Sequence, residues 1–439
     1  MSGQEQKEYK NWYTLVFSSN YLIQGVVQSM FTVIVPIYLI LLISSTGTTI
    51  TASDIAFLAS IVMLPWAIKF IFGILSDRFG SRKFGRRRPW LIVFVCLAGA
   101  LWILLPLLLN PSNALIVFTT IGVFINLGVA VGDTVLDGFI LDICPKEQLG
   151  RVQGTCWGFK YVGTIGGGPI LALIVVSAGA SVDSIFMIFG IIMILTSLLV
   201  LLIKEPLDYP KVEIRKNLGK MFKRGKDWKM YFFALFNAFI DGVLMLFMAL
   251  YLLIQMDLIA AEGASLELLE GINLDIYLYQ ANIALITSLG VIIGAVVGGY
   301  LSDLKSRRNS VFISLIISTI ALLLVVVPFE VGILLVIANV IGIGLGWRHS
   351  SYSSILGQIS KDHPEMISTY FSIANSFVNV GTVIGLMVIG IVFEISLSFT
   401  FVFIFMAIVS NLGLIPFLLL DKKDYELDRK LSQKKDLTE

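Results

Sequence analysis

The sequence has few charged residues for its length. Of its 439 residues, 14% are Asp, Glu, Lys or Arg and 57% are hydrophobic, whereas about a quarter of an ordinary soluble domain is charged. These charges are too few to cover the surfaces of the roughly three soluble domains that this length would form. The composition excludes a water-soluble enzyme, a disordered chain and a nucleic-acid-binding protein, and it indicates a membrane protein with many spans.

The sequence also lacks the motifs of several enzyme classes. Its three cysteines, an odd number without scaffold spacing, imply no disulfide framework. There is no G-x-x-x-x-G-K-[ST] loop, no H-E-x-x-H motif and no cluster of Cys or His. We therefore expect no direct use of ATP, no cofactor or metal, and no enzymatic activity. The polar first twelve residues precede an apolar segment without a cleavage site, so a removable signal peptide is not expected.

Long apolar segments recur along the whole chain. A membrane helix needs about 20 mostly apolar residues, and the absence of alternating hydrophobicity excludes a β-barrel. The sequence predicts an all-α membrane protein with twelve transmembrane helices. They lie near 13–43, 54–75, 89–109, 113–143, 151–177, 184–203, 229–256, 278–302, 309–327, 331–355, 366–392 and 396–420.

The distribution of basic residues predicts the orientation. None of the 32 Lys and Arg residues lies in the six loops that alternate counting assigns to the outside. Basic loops remain on the cytoplasmic side of a membrane. We therefore predict a multi-pass protein of the plasma (inner) membrane with both termini in the cytoplasm.

The two halves of the chain repeat each other. Gly73-Ile-Leu-Ser-Asp77-Arg78 follows the second span, and Gly299-Tyr-Leu-Ser-Asp303 follows the eighth. Such a repeat predicts two pseudo-symmetric bundles of six helices each. Their bounds are an N-terminal bundle at 1–203, a basic cytoplasmic linker at 204–228, a C-terminal bundle at 229–420 and a cytoplasmic tail at 421–439. A linker helix lying on the membrane surface is the alternative for the second segment.

With these loops the chain resembles the major facilitator superfamily, whose signature loop is G-x-L-[SA]-D-R-x-G-R-[KR]. The extended run Arg86-Arg87-Arg88-Pro89 is similar to sucrose-type and glycoside–pentoside–hexuronide cation symporters. Pro65-Trp66-Ala-Ile-Lys69 and Asp133-Thr-Val-Leu-Asp137-Gly resemble folate–biopterin transporters and peptidoglycan-fragment permeases instead. The sub-family therefore stays open. The resemblance implies a monomer that transports a small solute by alternating access.

The signature loops are candidates for a conformational latch. In the superfamily the Asp of this loop stabilises the outward-facing state, which implies that role for Asp77 with Arg78. The second loop gives Asp303 and Arg307 as its counterparts, although Leu304 and Lys305 depart from the motif. The alternative for each Asp is a charge that only sets topology.

Seven ionisable residues fall inside predicted spans. A central Asp, Lys or Arg costs about 2.5–3.5 kcal/mol on insertion scales, so these charges must pair or face water. Matching depths along neighbouring helices predict one pair of Asp133 with Lys160 and a second pair of Lys69 with Asp137.

The resemblance implies that spans one, four, seven and ten line a central cavity. The predicted lining, which would suit a hydroxyl-rich or anionic solute, combines a polar stripe on span one with most of the charges inside the spans. Asp241 is a candidate proton carrier or a helix–helix hydrogen-bonding group, and Arg348 holds an anion or pairs with Asp241. The predicted cavity residues are Asn20, Gln24, Gln28, Asp133, Asp137, Lys160, Asn237, Asp241, Arg348 and His349.

These features predict a secondary active transporter coupled to protons, with sodium as the other possible ion. Sugars or glycosides are the first expected solute class, and organic anions are the second. One alternative is an antiporter that exports amphipathic compounds. Another is a non-transporting sensor or assembly factor, which would dock partners on the acidic outer loop 257–277. A short amphipathic helix is the simpler expectation for that loop.

Overall fold

The chain folds as twelve spans. The computed structural model describes residues 9–44, 49–81, 83–144, 149–205, 219, 221–262, 265–268, 275–304, 306–360 and 367–426. Within these residues, twelve helical segments are long and apolar enough to cross a membrane. The predicted all-α membrane fold is therefore confirmed.

The first six spans run from Trp12 to Leu202. Their helices are Trp12–Ser29 and Val35–Ser44 in span one, Ala52–Ala67 and Lys69–Arg78 in span two, Arg88–Leu108 in span three, Ala114–Ile143 in span four, Leu149–Ile165 and Leu171–Ala178 in span five, and Val182–Leu198 in span six. Span six ends in a 3₁₀ turn, Leu199–Leu202.

The last six spans run from Gly225 to Leu418. Their helices are Gly225–Asn237 and Asp241–Gln255 in span seven, Asp275–Leu304 in span eight, Arg307–Val325 in span nine, Val331–Ser360 in span ten, Ile367–Ser396 in span eleven, and Phe399–Val409 and Leu414–Leu418 in span twelve. A short helix, Lys422–Tyr425, follows span twelve.

Spans one, two, five, seven and twelve are each interrupted in the described residues. Spans one and five contain π-helical turns at Met30–Ile34 and Gly166–Ile170, and these turns pack together. Spans two and seven break at Ile68 and at 238–240. Proline accounts for two of these changes, since Pro65 and Pro169 cannot supply a helical N–H. π-Turns and breaks of this kind are frequent at functional sites.

The helices form two compact units with the same packing pattern. The first unit is Met1–Glu213 with Ser265–Asn282, and the second is Ile214–Ala264 with Ile283–Glu439. In the first, span one packs on span five, and span three packs on spans four and six. In the second, span seven packs on span eleven, and span nine packs on spans ten and twelve. The predicted duplication thus extends to the helix packing, while the predicted domain bounds stay a prediction.

The predicted amphipathic helix in the outer loop is wrong where the structure describes that loop. Two strands stand there, Ile259–Glu262 (β2) and Ser265–Leu268 (β3). In β3, Leu266 pairs with Ile50 and Ser265 with Thr51 of a short antiparallel strand, Ile50–Thr51 (β1). The reason is periodicity, because Ser-Leu-Glu-Leu alternates polar and apolar residues as a half-buried strand does.

Candidate functional site

Asp133 on span four is the centre of a buried charge cluster in the first unit. Its Oδ2 lies 3.2 Å from Nζ of Lys69, and its Oδ1 lies 3.6 Å from Nζ of Lys160. The side chain of Asp133 is 5% exposed, and those of the two lysines are 12% and 11% exposed. The predicted pairing of Asp133 with Lys160 is present. The predicted pairing of Lys69 with Asp137 is wrong, because Lys69 pairs with Asp133.

A helix break positions Lys69 against Asp133. The first helix of span two contains Pro65 and ends before Ile68, and a new helix begins at Lys69. A continuous helix would place Lys69 at the depth of Asp137. Because the helix breaks at Ile68, Lys69 lies beside Asp133 instead. Trp66 lies beside both ammonium groups, with its ring centroid 5.9 Å from Nζ of Lys69 and 5.3 Å from Nζ of Lys160. These cation–π contacts help to hold both cations on one carboxylate.

Spans one and five pack closely where Lys160 lies. Gly25 of span one faces the backbone carbonyl of Lys160, and Gly163 of span five faces that of Leu22. A Cβ atom at either glycine would overlap the opposite backbone. Small residues therefore allow the close helix approach that fixes Lys160 beside Asp133.

Asp137 has a different partner from Asp133. The hydroxyl of Tyr21 on span one donates a hydrogen bond to Oδ1 of Asp137. No Lys or Arg among the described residues forms an ion pair with Asp137. The two carboxylates lie four residues apart on one helix face. The ion-paired carboxylate of Asp133 therefore lies next to the carboxylate of Asp137, which accepts a hydrogen bond from Tyr21. The sequence signal that could have identified Tyr21 is its place next to Asn20 in the polar stripe.

The polar stripe of span one does not lie on a single face. Asn20 and Gln24 are buried and line a small pocket inside the first unit together with Gly132 and Leu136. Gln28 is exposed. Residues four apart on a helix are rotated by about 40° from one another. Gln28, two such intervals after Asn20, therefore no longer lies on the buried face.

In the second unit, Asn237 and Asp241 lie on different helices. Sequence spacing placed them on one helix face, but span seven breaks between them at 238–240. Asn237 ends the first helix, and NH2 of Arg348 donates to its carbonyl oxygen. Asp241 begins the second helix, and its Oδ2 lies 3.3 Å from Nε2 of His349. Because of this break, Asn237 and Asp241 do not form a polar stripe on one helix. The end of the first helix contacts Arg348 and the start of the second contacts His349, both on span ten.

Arg348 and His349 differ in exposure. Arg348 is 1% exposed, whereas the side chain of His349 is 49% exposed. Arg348 is close enough to Asp241 for an electrostatic interaction, but within the described ranges the ion-pair partner of Asp241 is His349. In the same part of the chain no group of three His, Cys, Asp or Glu residues could hold a metal ion.

The predicted latch residues are only partly described. Asp77 and Asp303 lie in the last turns of helices, but their side chains are outside the described part of the structure. Arg78 is exposed. Arg307 is buried, and its NH1 donates to the carbonyl oxygen of Tyr425 at 2.8 Å.

Sequence reasoning missed an ion-pair network beside the first latch loop. NH2 of Arg86 lies 2.9 and 2.8 Å from the two carboxylate oxygens of Asp142. Nε of Arg87 lies 2.9 Å from Oδ2 of Asp142, and its NH1 lies 2.7 Å from Oγ of Ser76. This network joins the ends of spans two, three and four that lie beside the first latch loop.

In each unit, a glutamate that follows the sixth span of that unit caps the N-terminus of its third span. Oε1 of Glu205 accepts from the backbone N–H groups of Arg86 and Arg87 at 2.8 and 2.6 Å, before span three. Glu426 accepts in the same way from the N–H groups of Arg307 and Arg308 at 3.2 and 3.0 Å, at the start of span nine. Equal spacing of these residues in the two halves is the signal that could have identified both caps.

The pKa of Glu426 reflects this capping. Burial favours the neutral acid, but hydrogen bonds from Ser306 and from the backbone N–H groups of Arg308 and Arg307 favour the anion. The hydrogen bonds outweigh the burial, and the pKa of Glu426 is lowered from its usual value.

Comparison with known proteins places this arrangement in a family. The model of the Major Facilitator Superfamily matches residues 17–274 and 264–438. Among curated relatives, the putative transporter AmpG 1 of Rickettsia conorii is 25% identical over 58% of this chain and 62% of its own length. The probable folate-biopterin transporter 4 of Arabidopsis thaliana is 29% identical over 34% of this chain and 30% of its own length. These matches therefore span less than two thirds of the relatives.

Solved transporters share the fold at low sequence identity. The nucleoside transporter NupG superimposes with a TM-score of 0.70 at 12% identity, covering 93% of this chain and 100% of that one. The D-xylose-proton symporter superimposes with a TM-score of 0.66 at 14% identity, covering 93% of this chain and 98% of that one. At such identities the likeness concerns the fold alone.

Proposed function

The chain belongs to the Major Facilitator Superfamily, and we propose that it is a secondary active transporter driven by the proton gradient. It would move a small polar solute across the membrane by alternating access. The observation that carries the proposal is the buried cluster in which Asp133 holds Lys69 and Lys160 while Asp137 is bound by Tyr21. We further propose that the protein lies in the inner membrane as a monomer with both termini in the cytoplasm.

Charge balance supports a coupling role for this cluster. Each buried charge costs about 2.5–3.5 kcal/mol at the centre of a membrane helix, so four of them need mutual compensation. Two ammonium groups hold Asp133 in its ionised form. Asp137 has a neutral hydrogen-bond partner, so a proton can neutralise it without leaving a lysine unpaired. In this proposal Asp137 carries the proton, and Asp133 keeps both lysines in place.

We propose two candidate solute classes. A sugar or glycoside is one candidate, and the chain shares its fold with a D-xylose-proton symporter. A folate or pterin is a second candidate, because one of the relatives is a probable folate-biopterin transporter. Both candidates are small and polar, and both agree with the amides and charges on spans one, seven and ten.

The test is solute-driven proton movement in vesicles. The purified protein is reconstituted into liposomes that contain a pH-sensitive dye, and glucose, sucrose, glucuronate, folate and biopterin are added outside one at a time. Symport of one of these solutes acidifies the lumen, and protein-free liposomes provide the control. Uptake of labelled solute that requires sodium and leaves the lumenal pH unchanged would assign the coupling to sodium instead.

The alternatives give different signals in the same vesicles. An exporter working as an antiporter makes the lumen alkaline when solute enters, because protons leave in exchange. A folded protein that moves neither solute nor protons for any compound would contradict the proposed transport. That result would favour the sensor or assembly factor, for which the outer strand pair of β1 and β3 is the candidate docking surface.

A further inference from the structure

The guanidinium of Arg348 is buried and only partly hydrogen-bonded. The residue is 1% exposed, and NH2 donates to the carbonyl oxygen of Asn237. In the part of the chain that the structure describes, Nε and NH1 have no hydrogen-bond acceptor. A buried cation without acceptors is costly, because lost hydration is not replaced. This side chain therefore has two donors available to a ligand.

A tyrosine on the same helix face adds a third donor. Tyr352 lies four residues after Arg348 on span ten, so the two side chains are neighbours. It is 4% exposed, and its hydroxyl has no hydrogen-bond partner among the described residues. Two N–H groups and one O–H group thus lie on one buried face beside the break in span seven.

The acidic neighbour of Arg348 contacts another residue through one of its two carboxylate oxygens. Oδ2 of Asp241 lies 3.3 Å from Nε2 of His349. Asp241 is also the first residue of the helix Asp241–Gln255, where the positive end of the helix dipole stabilises a carboxylate. Oδ1 of Asp241 has no hydrogen-bond partner among the described residues, and neither oxygen of Asp241 accepts a hydrogen bond from Nε or NH1 of Arg348 there.

We propose that Arg348 and Tyr352 bind the carboxylate of an organic anion, so that the solute carries a carboxylate group. This inference rests on the proposed function, because it names the solute class of the same transporter. A guanidinium forms two parallel hydrogen bonds with the planar carboxylate. Discontinuous helices also frame the ligand sites of many transporters, and here the break in span seven lies against Arg348.

The test uses matched pairs of compounds that differ in one carboxylate. Purified protein in detergent is titrated with glucuronate against glucose, and with pterin-6-carboxylate against pterin, while the melting temperature is followed. We expect the carboxylate of a pair to bind about ten- to a hundredfold more tightly than its neutral partner. Arg348→Gln removes this preference, and Arg348→Lys keeps part of it. Arg224→Gln, which removes the same charge from an exposed position before span seven, leaves the preference unchanged.

Several outcomes would overturn the inference. Equal responses to both members of each pair, including no response to either, contradict a carboxylate site. Stronger binding of glucose 6-phosphate than of glucuronate assigns the site to phosphate. If Arg348→Gln does not fold, two other results test the inference. These are the wild-type preference for the carboxylate compound and a weaker preference in Tyr352→Phe. Proton-coupled uptake of a neutral solute would overturn this inference and leave the proposed function intact.

Discussion

The two units hold their buried charges in opposite states. In the first, Asp133 is ion-paired with both Lys69 and Lys160. In the second, Arg348 has two N–H groups without an acceptor in the described residues. The first unit thus pairs its buried charges within the protein, whereas the second leaves donors of a buried cation without an acceptor in the described residues. In the mechanism that we propose, the first unit exchanges the proton and the second binds the anion.

The largest expected effect follows from removing the shared carboxylate. Asp133→Asn leaves two buried ammonium groups without their ion pair, and we expect a loss of about 3–5 kcal/mol in the free energy of unfolding. Asp133→Asn combined with Lys160→Met should be less harmful than Asp133→Asn alone. Thermal unfolding in detergent measures both, and Asp257→Asn in an exposed loop is the matched control. Equal stability of Asp133→Asn and the wild type would contradict the self-contained cluster.

The next effect concerns the second carboxylate of the first unit. Tyr21→Phe removes the hydrogen bond to Asp137, and a buried acceptor left unsatisfied costs about 1–3 kcal/mol. We expect a lower melting temperature and altered pH dependence of transport, since the proposed proton carrier loses its partner. Tyr279→Phe, at an exposed position on span eight, should change neither. Unaltered stability and transport in Tyr21→Phe would mean that this hydrogen bond has no role.

In the second unit, we expect Arg348→Gln to change the melting temperature little or to raise it. Arg348→Gln removes a buried charge whose Nε and NH1 lack acceptors among the described residues, and the glutamine amide can still donate to the carbonyl of Asn237. We therefore expect a melting temperature equal to or above that of the wild type. A destabilisation as large as that of Asp133→Asn would show that Arg348 is satisfied within the protein, and the comparison between the units would fail.

The smallest effect concerns the cap at the start of span nine. The folded-state pKa of Glu426 is lowered, so its contribution to stability is present above the unfolded pKa of about 4.3 and is lost as the pH falls through the folded value. The melting temperature of the wild type should decline in that acidic range, and Glu426→Gln should decline less steeply. Glu394→Gln, at an exposed outer position, is the control, and identical curves for all three proteins would exclude a stabilising cap.

Sequence periodicity and charge placement were sufficient for the fold. Twelve apolar segments and the repeated loop motif predicted the spans and their duplication, because lipid exposure requires apolar helices of nearly fixed length. Depth along regular helices likewise predicted the contact of Asp133 with Lys160. Both predictions depend only on helix geometry.

Two wrong predictions in the candidate site share a cause, which is departure from a regular helix, whereas the predicted loop helix was wrong because its residues alternate as a strand does. Lys69 reached another partner because span two breaks at Ile68, and Asn237 separated from Asp241 because span seven breaks before Asp241. Proline marks the first break, whereas the second has no proline and no glycine between Asn237 and Asp241. Contacts between distant segments, such as Tyr21 with Asp137, could not follow from spacing within one helix.

The most direct test of the proton carrier separates exchange from accumulation. Asp137→Asn and the wild type are reconstituted, and uptake of a solute identified in the vesicle assay is measured with and without a proton gradient. The account predicts that Asp137→Asn still exchanges labelled for unlabelled solute but neither accumulates solute nor moves protons. Gradient-driven accumulation by Asp137→Asn equal to that of the wild type would contradict it.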